Sequence, residues 1–293
     1  MVSITASEVP TAKLHGYLLG AVGPRPIAFA STIDDRNRPN LSPFSFFNVF
    51  GSNPPILIFS PSRRVRDNST KHTLENVLKN REVVINVVNY DMVQQMSLAS
   101  TEYMEGENEF IKSGLTMLPS DLVKPFRVAE SPVQFECKVV KVEPLGKEGG
   151  AGNLIFSEVL KIHVDADILD ENGAIDQFKI DQVARMGGNW YSRANMGLFE
   201  VPKPVSNLGI GVDQIPEHIR WSNILTGNDL GMLGNIEKLP SQEEVRQYVD
   251  TNVDLRSILS SGDEALLHAR AQELLKNKDV LSAWKVLLAE MPT

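Results

Sequence analysis

The 293 residues contain one cysteine, Cys137, so no internal disulfide can form and a disulfide-stapled scaffold is excluded. A lone thiol fits a reducing, cytoplasmic compartment. Lys and Arg number 29 against 37 Asp and Glu, a formal charge of −8. A general nucleic-acid binder needs the opposite surplus to neutralise phosphates, so no nucleic-acid partner is expected. Long apolar runs are missing as well. Pro54–Phe59 and Val83–Val88 are the longest, far short of the ~20 residues that span a bilayer, and no membrane partner is expected. The opening MVSITASEVP has no basic stretch followed by an apolar one, so no secretory signal is expected.

Familiar site motifs are absent too. There is no HExxH, CxxC, GxxxxGK[ST] or GxSxG, and no GxGxxG follows a strand. The five histidines (His15, His72, His163, His218, His268) are scattered. Zinc chemistry, a P-loop, a hydrolase elbow and a Rossmann fold therefore have no support, and no metal is expected.

What is present is a chain of ordinary globular composition, long enough for one large domain or two smaller ones. The first 200 residues read mainly as strands. Pro26–Thr32, Ile56–Ser60 and Glu82–Val88 are short apolar runs between turn residues. Val133–Val142 alternates in part, with Val133, Phe135, Cys137 and Val139 on one face. Leu154–Val164 is its expected hairpin partner, across a segment with four glycines. Two helices interrupt the strands. Thr70–Asn80 carries Leu74, Val77 and Leu78 on one apolar face, and Asp91–Ser100 opens with a capping-box spacing to Gln94. A barrel or sandwich with helical decoration follows.

Past residue 200 the texture changes. Val201–Pro204 (VPKP) reads as a linker, and Ser206–Pro240 as loop. Ser241–Glu244 and Ser261–Glu264 both match the capping box. Asp263–Asn277 and Asp279–Glu290 read as amphipathic helices, with Leu266, Leu267, Leu274, Leu275, Val280, Trp284, Leu287 and Leu288 apolar. The expected domains are 1–200 and 201–293. Each carries a net −4, which makes the shorter tail about twice as acidic per residue.

Two clusters bear on function. Arg63–Lys71 reads RRVRDNSTK, four basic residues and one acid in an acidic chain, directly before a predicted helix start. Cations, hydroxyls and a helix N-terminus together suit a phosphate; a solvated basic turn is the alternative. Six of twelve phenylalanines (Phe29, Phe44, Phe46, Phe47, Phe50, Phe59) fall within 31 residues, interleaved with Ser42, Ser45 and Asn48. Such a cluster is either core or the wall of a flat pocket with a few fixed polar groups. A planar cofactor with a phosphate tail would use both features.

These residues resemble the flavin reductase-like proteins that bind FMN on a split β-barrel, a group that includes flavoredoxin and the reductase components of two-component flavin monooxygenases. The matching pieces run in order through Gly23–Asn48, Pro54–Arg64, Lys71–Val77, Val83–Val88, Ala99–Thr116, Ala129–Val139, and Phe156–Asp165 through Val183–Arg193. They span about residues 15–195. The resemblance implies a mainly β fold: an FMN-binding split β-barrel with a few helices, plus a C-terminal helical extension. It places Ser31 and Thr32 against the flavin ring and ribityl chain, Phe47 and Asn48 beside the ring, and Ser60, Arg64, Lys71 and Thr73 at the phosphate. The family's Lys-Asp-Thr is Lys71-His72-Thr73 here, which keeps the cation and the hydroxyl. His163, Arg185 and Tyr191 become candidates for the nicotinamide or substrate side, with Gly187-Gly188 allowing close backbone approach. Trp190 is expected in the core, with stacking as the alternative. A strand-end histidine bonded to backbone is the alternative for His163.

The implied activity is an NAD(P)H-dependent flavin reductase, in which NADH or NADPH gives hydride to FMN. The implied assembly is a homodimer that hands electrons to an oxygenase or another acceptor protein. One alternative is a flavoredoxin-like electron carrier with little direct NAD(P)H turnover. Another is an interaction protein that has lost flavin, which the intact Arg/Lys/Thr cluster opposes. The tail is expected to cover the barrel.

Overall fold

The computed structural model describes residues 1–202 and 208–290. Lys203 and Pro204 of the expected linker, and the start of the expected loop at Ser206, lie outside the described residues. The chain divides into two compact units, Met1–Phe199 and Glu200–Thr293.

The first unit opens with α1 (Thr11–Ala21), then β1 (Ala28–Ile33), β2 (Pro39–Phe44), β3 (Phe47–Ser52) and β4 (Pro55–Phe59). Next come α2 (His72–Asn80), β5 (Glu82–Val87), α3 (Val93–Leu98), α4 (Glu109–Ser113) and the short β6 (Met117–Leu118) and β7 (Arg127–Val128). The long β8 (Val133–Pro144) and β9 (Asn153–Val164) follow, then β10 (Val183–Arg185) and β11 (Tyr191–Arg193). Seven strands form one antiparallel sheet in the order β2-β1-β5-β8-β9-β4-β3. β8 and β9 are the predicted hairpin, in register from Val133↔Val164 to Pro144↔Asn153 with two bulges.

The central strands are buried on both faces, which is why they read as continuous apolar runs. Every residue of β1 is buried. Ala28, Ala30, Phe44, Phe59, Val83, Ile85, Cys137 and Ile155 form one core, and α2 packs Leu74 and Val77 into it. Phe29, on the other face of β1, joins Leu41, Met92, Met96 and Phe110 in a second core. Leu78 does not belong to the buried face of α2; it is exposed.

The predicted cap of the third helix does not form. α3 starts at Val93, and the Met92 N–H is held by Asn89 Oδ1 at 3.3 Å instead. α1 was not legible in the pattern, since none of its residues is buried. The Arg25 guanidinium closes its C-terminal end, donating to the carbonyls of Leu19 (2.7 Å) and Val22 and also to Met186 (2.8 Å).

In the second unit, the expected loop up to Pro240 contains α5 (Glu217–Arg220) and α6 (Gly227–Gly234). A capping box between Thr226 and Asp229 starts α6, so its glycine content concealed a helix. α7 (Gln242–Thr251) has the predicted box between Ser241 and Glu244. The second predicted box fails. Ser261 ends α8 (Val253–Ser261), Gly262 turns the chain at φ 65°, and Asp263 caps α9 (Glu264–Lys276) by accepting from Ala265 and Leu266 N–H. α10 (Val280–Leu287) follows. This unit has its own core. Trp284 is fully buried with Leu233, Ile219, Leu255 and Leu275, and its indole N–H donates to the Leu233 carbonyl at 3.0 Å. Leu266 is exposed rather than part of that core.

Candidate functional site

The chain leaves β4 into the basic loop. Buried Ser60 anchors the exit, with its N–H on the Phe46 carbonyl at 2.9 Å and its Oγ accepting from Asn153 N–H at 3.0 Å. The loop then folds on itself. Arg63 donates to Asn68 Oδ1 (2.6 Å) and to the Asn68 carbonyl (2.8 Å). Arg64 Nη1 donates to Ser69 Oγ (2.8 Å) and to the Thr70 carbonyl (2.7 Å). Hydrogen bonds from the Ser69 hydroxyl and N–H hold the Asp67 carboxyl far below the usual range. The glycine-rich tip of the β8–β9 hairpin braces this loop. Gly150 N–H donates to the Arg63 carbonyl, and a Cβ on Gly149 would lie 3.0 Å from the Arg64 carbonyl and the Val65 backbone.

Three of the four cations converge. Arg64 Nε lies 2.8 Å from Glu102 Oε1, Arg66 Nη2 meets Glu102 Oε2, and Lys71 Nζ lies 3.8 Å from Glu102 Oε1. Arg63 does not join them. Partial burial, and then the neighbouring Arg64 charge, push the Lys71 ammonium below its ordinary value. The hydrogen bond from Arg64 leads the effects that hold the Glu102 carboxyl down.

A buried polar network joins β1, β2 and the start of α2, directly after Lys71. Asn76 Nδ2 donates to Thr32 Oγ1 at 3.0 Å, and Asn40 Nδ2 donates to Thr73 Oγ1 at 3.0 Å and Thr32 Oγ1 at 3.4 Å. All four residues are buried. Thr32 and Thr73 thus tie the end of β1 to the start of α2 and position the helix; neither hydroxyl lines open surface. Ser31, adjacent on the strand, points to the opposite face. A ligand lying along one face meets at most one of the Ser31 and Thr32 side chains. Ser31 Oγ is fully buried and has no hydrogen-bond partner among the described residues. His72, at the place of the family's Asp, lines a small cleft with Asp34, Arg38, Asn40, Asn76 and Glu105.

Phe47 and Asn48 stand on β3, an edge strand of the sheet. Phe47 is half-buried opposite Phe59, and exposed Asn48 turns its Oδ1 to the Val49 N–H at 2.8 Å. The phenylalanine cluster divides. Phe29, Phe44 and Phe59 are core, whereas Phe46 and Phe50 are exposed together with Val49.

Arg185 and Tyr191 face each other across the β10–β11 hairpin, the guanidinium 4.6 Å from the ring centroid. Arg185 also exchanges backbone hydrogen bonds with Arg25 at 2.8 and 2.9 Å. Gly187 does allow a close approach, but to α1: a Cβ there would lie 3.1 Å from Gly20 Cα. Trp190 is a correction. It sits in the hairpin turn, where its N–H bonds the Gly187 carbonyl, and it is 78% exposed.

His163 is bonded to a side chain, not to backbone. Its Nε2 lies 2.6 Å from Glu136 Oε1. Glu136 is buried and also accepts from the N–H groups of Asp121 (2.8 Å), Leu122 (2.6 Å) and Val123 (3.2 Å). Burial pushes the Glu136 carboxyl up, but these hydrogen bonds outweigh it and hold it below its ordinary value. Asp121, Glu136 and His163 bring metal-capable atoms within 4.8 Å of one another, yet the Glu136 oxygens are committed to backbone and Asp121 pairs with Lys161. This clasp fixes the 121–123 turn to the sheet. Arg64, Lys71, Thr73 and Thr32 are therefore brought together, Ser60 anchors their loop, and Arg185 pairs with Tyr191, while His163 is occupied by Glu136. Glu102, Asn40 and Asn76 are the members that sequence reasoning did not find.

The model of the flavin reductase like domain matches residues 21–179. An uncharacterised protein of Aquifex aeolicus is 41% identical over 181 residues, 62% of this chain and 90% of that one. A second, from Halalkalibacterium halodurans, is 37% identical over 181 residues, 61% of this chain and 86% of that one. Nitrilotriacetate monooxygenase component B from Bacillus cereus is similar in structure, with TM-score 0.65 at 25% identity over 69% of this chain and 98% of that one. A split barrel domain protein from Shewanella frigidimarina, assigned as a flavin reductase, gives TM-score 0.59 at 25% identity over 69% of this chain and all of that one. The matched segment includes the cationic loop and Glu102 and stops before Arg185 and Tyr191.

Proposed function

The chain belongs to the flavin reductase like domain family, and from that premise we propose that it is an FMN-binding, NAD(P)H-dependent flavin reductase. The observation that carries the reading is the convergence of Arg64, Arg66 and Lys71 on one point beside the start of α2. A planar guanidinium fork, a second guanidinium and an ammonium suit a phosphate dianion, and a helix N-terminus adds backbone donors of the same sign. The donor set fits FMN, whose tail is such a dianion; riboflavin would leave it unused.

FMN, when bound, supplies the two-electron acceptor for hydride. The protein's share is placement. The three cations hold the phosphate, the Thr32–Asn76 and Thr73–Asn40 pairs fix α2 beneath it, and Phe47 and Asn48 flank the ring from β3. Arg185, its guanidinium carbon over the Tyr191 ring, is the cation on the nicotinamide side; a guanidinium already restrained meets a pyrophosphate at little further ordering cost. Hydride transfer requires ring alignment more than an acid–base residue. His163 is assigned no proton-transfer role because Glu136 engages it.

The assembly in this reading is a homodimer. Edge strand β3 exposes Val49 and Phe50, and α1 buries none of its residues although Leu14, Leu18 and Leu19 lie on it. A second copy covering these surfaces removes an edge that would otherwise invite aggregation. Electrons then pass to an oxygenase or another acceptor protein.

The test is steady-state NADH or NADPH oxidation by the purified protein with and without added FMN. Oxidation that saturates with FMN and is lost without it is the expected result. No FMN-dependent oxidation with either donor overturns it.

A further inference from the structure

Glu102 sits where an anion would. Its two carboxylate oxygens divide the cations between them, Oε1 taking Arg64 at 2.8 Å and Lys71 at 3.8 Å, Oε2 taking Arg66. Two oxygens carrying one delocalised charge stand in for one edge of a phosphate group. Other contacts of these cations are framework contacts. Arg64 Nη1 is held by Ser69 and Thr70, and Arg66 Nε by Asp67 at 3.1 Å. The donor edges turned to Glu102 are not tied to the loop's own framework.

Glu102 belongs to the stretch between α3 and α4, 38 residues from Arg64 in sequence. The Glu102 side chain is exposed, at 38%, so solvent is open to it when it leaves the cations. A phosphate dianion placed on the same donors would stand against this charge at contact distance, so phosphate and Glu102 cannot share the seat.

We infer that Glu102 is a tethered competitor for the phosphate: it fills the cationic seat and must swing out as FMN enters. This rests on the flavin-phosphate reading of the seat. A tethered ligand acts at an effective concentration in the millimolar range or above. Apparent affinity is then the intrinsic affinity reduced by the fraction of molecules with the seat open. The consequence is an FMN that exchanges, bound as a substrate rather than retained as a prosthetic group. It also means that the seat never presents three uncompensated cations to solvent.

The test replaces Glu102 with Gln in the full chain and measures affinities for FMN, riboflavin and inorganic phosphate. Each exposed ion pair contributes modestly, so removing three together is expected to tighten FMN on the order of tenfold. Phosphate tightens with it, and riboflavin does not. Glu102→Met, neutral and of similar length, repeats the measurement should Gln form new hydrogen bonds. Unchanged or weaker FMN and phosphate binding in both variants overturns the inference, as does an equal gain for riboflavin. If wild type and variants alike bind no flavin, the flavin reading fails separately and inorganic phosphate decides: tighter binding in the variants supports the competitor, and no change overturns it.

Discussion

Lys71→Ala is the sharpest perturbation of the proposed phosphate seat. Lys71 is the residue before α2, half-buried, with its ammonium 3.8 Å from Glu102 and its pKa lowered chiefly by burial. Its loss removes one of three cations from the seat. A hydrogen bond to a charged group contributes about 1.5–3 kcal/mol, which is roughly 10- to 150-fold in Kd. The truncation costs the free protein little, because a partly exposed ion pair contributes about 0–1 kcal/mol. FMN affinity should therefore fall within that range while the melting temperature stays nearly constant. Riboflavin, which has no phosphate, supplies the control, and fluorescence quenching of each flavin is the assay. Equal loss for FMN and riboflavin would refute the role, because a residue acting only through the phosphate cannot change the binding of a ligand without one.

Asn76→Ala leaves Thr32 Oγ1 short of a buried donor and should destabilise the first unit by about 1–3 kcal/mol, read from urea unfolding. Glu136 contributes stability that is complete above the ordinary carboxyl value of 4.5 and is lost as pH falls through its lowered native value. Glu136→Gln should therefore flatten the acid side of the stability–pH profile; an unchanged slope contradicts the clasp. Trp284→Ala opens a cavity in the second unit and should destabilise it by about 3–5 kcal/mol while FMN affinity is retained. A calorimetric trace in which only one of two transitions moves would express this.

What was legible in the sequence follows from local physics. Runs such as Ala28–Ile33 and Glu82–Val87 announced themselves because both faces are buried, and Ser241 because its partner Glu244 is three residues away. The Arg63–Lys71 cluster was legible as a local charge excess. What escaped depends on residues distant in the chain. Asn40 and Asn76 earn meaning only when β2 and α2 stack on Thr32, and Glu102 only when its loop folds over the cations. Ser261 matched the capping box, but the left-handed turn at Gly262 ends α8 there and leaves Asp263 to cap α9. His163 on its own was ambiguous; its role as a clasp requires Glu136, the residue whose buried carboxylate gathers three backbone N–H groups.

The proposed function requires that this chain bring FMN and a reduced nicotinamide together. Its most direct test is the absorbance spectrum of the protein mixed with FMN under anaerobic conditions, recorded before and after NADH and then NADPH. A flavin band perturbed on mixing and bleached rapidly by at least one donor is the expected result. A band that stays that of free, oxidised FMN with both donors contradicts it.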